Sequence, residues 1–177
     1  LNFVVASVEE QAKAVQQMAA FEAKGKLKKI SDLYGQGDME GVLAEADQLL
    51  AKEPELGAAI YLRGAALWKL GRTDEAEQEL RRAIELVPDQ EGIWGVLGTV
   101  LLDRSERLEA AGQTAEGAEL AYEAAGYFAK DLEEHPDSMA SLINRAAALD
   151  QAERDDELEP ALRAVIAADP TNVQATS

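Results

Sequence analysis

Residues 57–90 read GAAIYLRGAALWKLGRTDEAEQELRRAIELVPDQ, two short amphipathic helices around a turn at Leu70-Gly71-Arg72-Thr73. On the first helix Ile60, Gly64, Ala65, Leu67 and Trp68 recur at steps of three, four and seven; on the second Ala76, Leu80, Ala83, Ile84 and Val87 do the same. Gly71 suits the left-handed residue that closes a helix, and Pro88 cannot continue the second one. Asp74 with Glu77 has capping-box spacing, and Thr73 is an alternative cap. The punctuation recurs at a fixed interval: Gly37 to Gly71, Pro54 to Pro88 and Pro136 to Pro170 are each 34 residues. A helix-turn-helix unit at that period is the signature of a solenoid, in which neighbouring units cover the apolar stripe that neither helix can bury alone.

In this register the chain resembles the tetratricopeptide repeat family. Gly64, Ala76, Leu80, Ala83 and Pro88 carry the resemblance in residues 57–90, and Trp94-x2-Leu97-Gly98-x2-Leu101 carries it in the next unit. The joint pattern over two units is specific; no single residue in it is. Arg63 and Arg145 stand where the family usually has Leu, which predicts partly buried cations paired with carboxylates. The expected fold is all-α: an α-solenoid of about four helix-turn-helix repeats, with an N-terminal helix and an elongated third hairpin. The resemblance implies that these repeats wind into a right-handed superhelix. Residues 1–22 are assigned to the N-terminal helix or cap, 23–56, 57–90, 91–138 and 139–172 to the repeats, and 173–177 to a tail.

Composition narrows the class. Apolar residues make up 47% of the 177, enough for a continuous core, and there is no Cys, hence no disulfide and no thiolate chemistry. No run of about 20 apolar residues can span a membrane. Leu1-Asn2-Phe3-Val4-Val5-Ala6 is too short, and lacks the basic start, for a complete signal peptide. Cytoplasm and periplasm both fit. The net charge of −17 is uneven: residues 1–52 hold six Lys against eight acids, while 53–177 hold eleven basic against twenty-six acidic residues. Phosphate neutralisation drives nucleic-acid binding, so an acidic body argues against DNA, RNA and anionic membranes. It suits a basic or neutral protein partner, or else merely keeps a repeat array soluble.

Outward from the central unit, Val8, Ala12, Val15, Met18 and Phe21 form one stripe of an N-terminal helix over residues 7–33, expected to pack on the first repeat as a cap, with Gly25 as a kink or break. Lys24, Lys26, Lys28 and Lys29 are the one basic cluster and read as a solvated helix surface, or as a contact for an acidic tail. Pro88 to Pro136 is 48 residues, 14 more than the period. Split between two antiparallel helices, that adds about two turns to each and pushes the turn at Gly112-Gln113-Thr114 roughly 10 Å beyond its neighbours. A protruding hairpin suggests a partner contact or self-association. In the last unit Pro160 belongs in a first turn, placing that helix's start near Leu158 or Glu159. Whether the apolar face of the last unit is covered decides if it serves as an oligomer interface.

Catalytic groupings are not found. His135 is the one histidine, at a helix end before Pro136, where it suits the C-terminal dipole. Glu153, Asp155, Asp156, Glu157 and Glu159 lack calcium-loop spacing and read as a solvated helix start. Gly92-x2-Gly95-x2-Gly98 lies on a helix, so it serves close packing or ligand approach rather than phosphate binding. No enzyme, metal or cofactor is expected. The resemblance implies a concave groove lined by the first helices: Leu27, Ser31 and Tyr34; Ala58, Tyr61, Ala65, Trp68 and Lys69; Gly95, Thr99, Leu102 and Asp103; Ile143, Ala147 and Asp150. Tyr34, Tyr61 and Trp68 would suit a peptide or helix with apolar anchors. Trp68 reads equally as packing, and Trp94 reads as packing. Lys69 and Arg63 lack the Asn partners of a carboxylate clamp. The expected function is a non-enzymatic scaffold holding a segment of another protein in that groove. The alternative is a homo-oligomeric structural or accessory protein built through the N-terminal helix, the long hairpin or the C-terminal face.

Overall fold

The computed structural model describes residues 8–169, with side chains from Gln11 onward. All described secondary structure is helical: α1 (Val8–Gln36), α2 (Met39–Leu50), α3 (Gly57–Lys69), α4 (Thr73–Leu86), α5 (Ile93–Ala110), α6 (Thr114–Glu134), α7 (Met139–Gln151) and α8 (Asp155–Ala168). Each helix packs antiparallel on the next, and the first helices of successive units also touch, α1 on α3, α3 on α5 and α5 on α7. The result is a two-layered α-solenoid whose core runs unbroken from Ile30 and Val42 through Ile60, Leu80, Leu97 and Phe128 to Leu149 and Val165. Alanine supplies much of it. Ala46, Ala59, Ala66, Ala76, Ala83, Ala124 and Ala148 are fully buried, so helix backbones approach closely at little entropic cost.

The turns follow from backbone chemistry. Gly37, Gly71 and Gly112 take positive φ (82°, 78° and 80°), and the amide of the residue after each glycine returns to the helix it closes, as in Arg72 N–H to Leu67 O at 2.9 Å. Asp38 caps α2 through its carboxylate to the Gly41 amide, and Ser138 caps α7.

Several expectations are corrected. The N-terminal helix and the first helix of repeat 1 are a single helix, α1, and Gly25 interrupts nothing because its backbone stays helical. The stripe on that helix does not cap the first repeat: Val15, Met18 and Phe21 are 68%, 73% and 80% exposed, and the buried core on α1 begins only at Ala23. At α4 neither Thr73 nor Asp74 caps. Arg72 occupies the cap position, while Glu77 turns inward to arginines instead of back to the helix start. Finally, α8 begins at Asp155, not Leu158, so Pro160 is its sixth residue. Pro160 leaves the Asp156 carbonyl without its helical donor; Asp156 is exposed, so water can serve in its place.

Candidate interaction surfaces

On α3 Tyr61 and Trp68 lie seven residues apart, two turns along one face. The Trp68 indole N–H donates to Asp103 of α5 at 2.6 Å, and the Lys69 ammonium sits 4.1 Å from the centre of the Trp68 ring. Trp68 is therefore half-buried and oriented by its polar edge. Tyr61 lies near Tyr34, Glu91 and Asp131; burial above all, then these neighbours, pushes its phenol up to about 12. Burial also raises Tyr34. The two tyrosines thus gather where α1, α3 and the start of α5 meet. Among the other expected groove residues, Ser31, Lys69, Ala147 and Asp150 are exposed, and Ala58, Gly95, Thr99 and Ile143 are half-buried. Thr99 returns its hydroxyl to the Gly95 carbonyl at 2.8 Å. Ala65 and Leu102 are buried among their neighbours, and Leu27 packs against the core, so they support the surface without presenting to it.

The close-packing reading holds for Gly95 and Gly98, whereas Gly92 lies outside the helix, as the left-handed N-cap of α5 with φ 75°. A Cβ on Gly98 would stand 2.9 Å from the Phe128 ring, and one on Gly95 would stand 3.1 Å from Asp131. Asp131 is buried and accepts the Ser141 hydroxyl from α7. The first turn of α5, the end of α6 and the start of α7 are joined at this point.

The second helices carry an ionic network that sequence reading did not foresee. Glu77 is buried and receives Arg81 at 2.9 Å and Arg104 of α5. Arg81 then reaches across to Glu123 of α6 at 2.7 Å and to the Tyr127 hydroxyl at 3.3 Å. Those carboxylates, the Glu123 hydrogen bond first, raise the Arg81 pKa and keep the guanidinium charged. Tyr127 stacks on Trp94 at 5.9 Å, with Lys130 4.4 Å from the Trp94 ring centre. Trp94 is packing, as expected, but on the flank of α6 rather than deep inside. The Lys-rich stretch is a solvated, paired surface: Lys28 binds Asp32 and Lys29 binds Glu45, both at 2.6 Å.

The expectation for the paired cations holds at one position of two. Arg63 bridges Asp47 at 2.8 Å and Glu79 at 2.6 Å, joining α2 to α4. Arg145, in the last unit, has neither a hydrogen bond nor an ion pair to any described residue, because alanines replace the acids (below).

The long third hairpin is real. α5 has 18 residues and α6 has 21, against 13 and 14 in α3 and α4. Its base is braced: Gln151 at the end of α7 accepts from Ser105 at 3.0 Å and donates to Glu109 at 3.1 Å. Beyond that brace, residues 110–116 are exposed. His135 occupies the C-cap of α6. The acidic residues near 155 open α8, and Glu157 accepts from the Tyr122 hydroxyl at 2.9 Å. Among the described residues no three His, Cys, Asp or Glu side chains are grouped to hold a metal ion, and no helix is long and apolar enough to cross a membrane.

Comparison with known proteins places this architecture. Residues 57–100 match the family model described as tetratricopeptide repeat. No curated protein sequence matches the chain. Among solved structures the fold is similar to MamA from Desulfovibrio magneticus RS-1, residues 41 to the end, with TM-score 0.69 at 18% identity over 86% of this chain and 78% of that one. It is similar to MamA MSR-1, with TM-score 0.70 at 18% identity over 87% and 80%. It is also similar to TTC0263, a thermophilic TPR protein of Thermus thermophilus, with TM-score 0.63 at 18% identity over 84% and 75%. Residues 57–100 thus match the tetratricopeptide repeat, and the stacked hairpins around them share the fold of these solved structures.

Proposed function

We propose that this chain is a non-enzymatic scaffold that holds a peptide or helical segment of a partner along the face of its first helices. One observation carries the reading: Tyr61 and Trp68 share a face of α3, flanked by Tyr34 of α1 and tied to Asp103 of α5. Aromatic bodies with polar edges are what anchors an apolar side chain while leaving a hydrogen-bonding rim. Asp103 and Glu91 make that rim acidic, so the favoured segment is basic or neutral between its apolar anchors. Capture of a partner from the source organism, identified by mass spectrometry, supplies the ligand. Tyr61→Ala and Trp68→Ala, checked for intact helicity, then weaken its binding by about tenfold or more each. Unaltered affinity in both removes the groove.

Self-association is the second reading, and the exposed Val15, Met18 and Phe21 of α1 favour it. An apolar stripe of that size on a monomer marks a contact surface. Light scattering across a concentration series separates the two readings: a strict monomer eliminates this one. If the chain associates, Met18→Asp with Phe21→Asp returns it to monomer.

A further inference from the structure

Aligning the units on their prolines, one position is occupied by Lys29, Arg63, Leu97 and Arg145, and the position sixteen residues on in the ordinary units by Glu45, Glu79 and Ala161. In the long third unit the same place, nine residues before its proline, is Tyr127. Lys29 binds Glu45, and Arg63 binds Glu79, each at 2.6 Å; Leu97 with Tyr127 is the apolar version. Arg145 alone keeps the cation without the acid. The other carboxylate of the Arg63 clamp, Asp47 on the preceding unit, is likewise lost: its equivalent before Arg145 is Ala129.

Ala129, in the place of Asp47, leaves space beside the guanidinium. A cleft of about 370 Å³ lies there between α6 and α8, and Arg145 of α7, Lys130, Tyr122, Tyr127 and Ala129 line it. Its two carboxylates are already engaged, Glu123 by Arg81 at 2.7 Å and Glu157 by the Tyr122 hydroxyl at 2.9 Å. Lys130 faces aromatic rings. Arg154 stacks on Tyr122 at 4.4 Å, which adds a further positive charge to the margin of the cleft. On a chain of net charge −17, Arg145 is a half-buried cation in a largely apolar recess whose two carboxylates are hydrogen-bonded to other side chains.

We propose that the Arg145 cleft is a docking site for an acidic residue of a partner protein, carried next to an apolar side chain. The incoming carboxylate takes the place that Asp47 and Glu79 fill at Arg63, and forms a charge-assisted, two-pronged pair with the guanidinium. The apolar neighbour packs against Tyr122, Tyr127 and Ala129. Partial burial raises the worth of such a pair above that of a surface salt bridge and rewards a ligand that supplies the missing charge. The proposal rests on the scaffold reading but not on the first-helix groove, because the cleft opens between second helices.

The probe is acetyl-Leu-Glu-Leu-amide, with acetyl-Leu-Gln-Leu-amide as its uncharged counterpart, and the readout is the Arg145 Nε–Hε cross-peak by NMR. The glutamate peptide shifts that signal saturably, and the glutamine peptide binds at least about tenfold more weakly. Arg145→Met abolishes the difference between the peptides. Ala161→Glu, which rebuilds the internal partner, blocks the glutamate peptide and leaves capture of the groove partner intact. Arg145→Met is at least as heat-stable as the parent, because it removes an uncompensated charge. The proposal is overturned if the Arg145 signal is unmoved by both peptides, if it responds equally to both, or if charge discrimination survives in Arg145→Met or Ala161→Glu. Groove binding is scored on its own partner, so either site can fail alone.

Discussion

Glu153 closes α7 with φ 53°, in the place that Gly37, Gly71 and Gly112 hold in the other units. A side chain in the left-handed region costs about 1 kcal/mol that glycine does not. Glu153→Gly therefore raises unfolding stability by about 1 kcal/mol, measured by urea denaturation at unchanged m-value. At Gly98 the sign reverses: a methyl group would collide with the buried Phe128 ring, and Gly98→Ala costs about 1–3 kcal/mol in the same assay. Tyr61 provides a pH signature. Its folded pKa is raised to about 12, above the unfolded value near 10, so its neutral form contributes stability that is complete below pH 10. That contribution is lost between about pH 10 and 12 as the unfolded chain sheds the proton first. Phenolate absorbance at about 295 nm should show a late-titrating tyrosine that disappears in Tyr61→Phe.

At the level of elements, units two and three are joined by charge as well as by apolar contact. Arg81 links Glu77 of its own helix to Glu123 of α6, and Arg104 reaches back to Glu77. Arg81→Met leaves Glu123 without its cation and Glu77 to Arg104 alone, and destabilises by about 1–2 kcal/mol. Replacing Arg81 and Glu123 together with apolar residues costs less than that single change, because Glu77 keeps Arg104, which a double-mutant cycle tests. The long hairpin behaves as two parts. Its base is braced by Gln151, while residues 110–116 touch solvent. Shortening the exposed tip leaves thermal stability within about 0.5 kcal/mol of the parent, whereas cutting back past Ser105 removes the brace and a buried polar group.

Across the whole molecule, stability is a sum over neighbouring hairpins, each depending on the interface with the next. The regular repeat made the architecture legible in advance: the prolines, the turn glycines and the alanine-rich stripes placed the hairpin turns and the extra length between Pro88 and Pro136. Less was readable where one residue type serves two purposes. The spacing of Val15, Met18 and Phe21 shows an amphipathic helix, but not whether anything covers its stripe. Asp74 and Glu77 have capping-box spacing, yet Glu77 is taken by arginines from its own and the following unit. Among the candidate groove residues, Ala65 belonged to the apolar stripe of its helix as well as to the expected groove, and burial decides for the stripe; Leu102 is buried too.

The repeat period, the helical hairpins, the closing glycines and the acidic surface follow from the order of residues alone, because turn chemistry and 3.6-residue periodicity act over a few residues. Tertiary structure decided which charges have partners and which apolar faces are covered. Arg63 and Arg145 share a repeat position, and only the packing of α3 between α2 and α4, and of α7 between α6 and α8, gives one two carboxylates and leaves the other an open cleft. The physical reason is that pairing and burial depend on contacts between units, across distances along the chain that local sequence rules do not span.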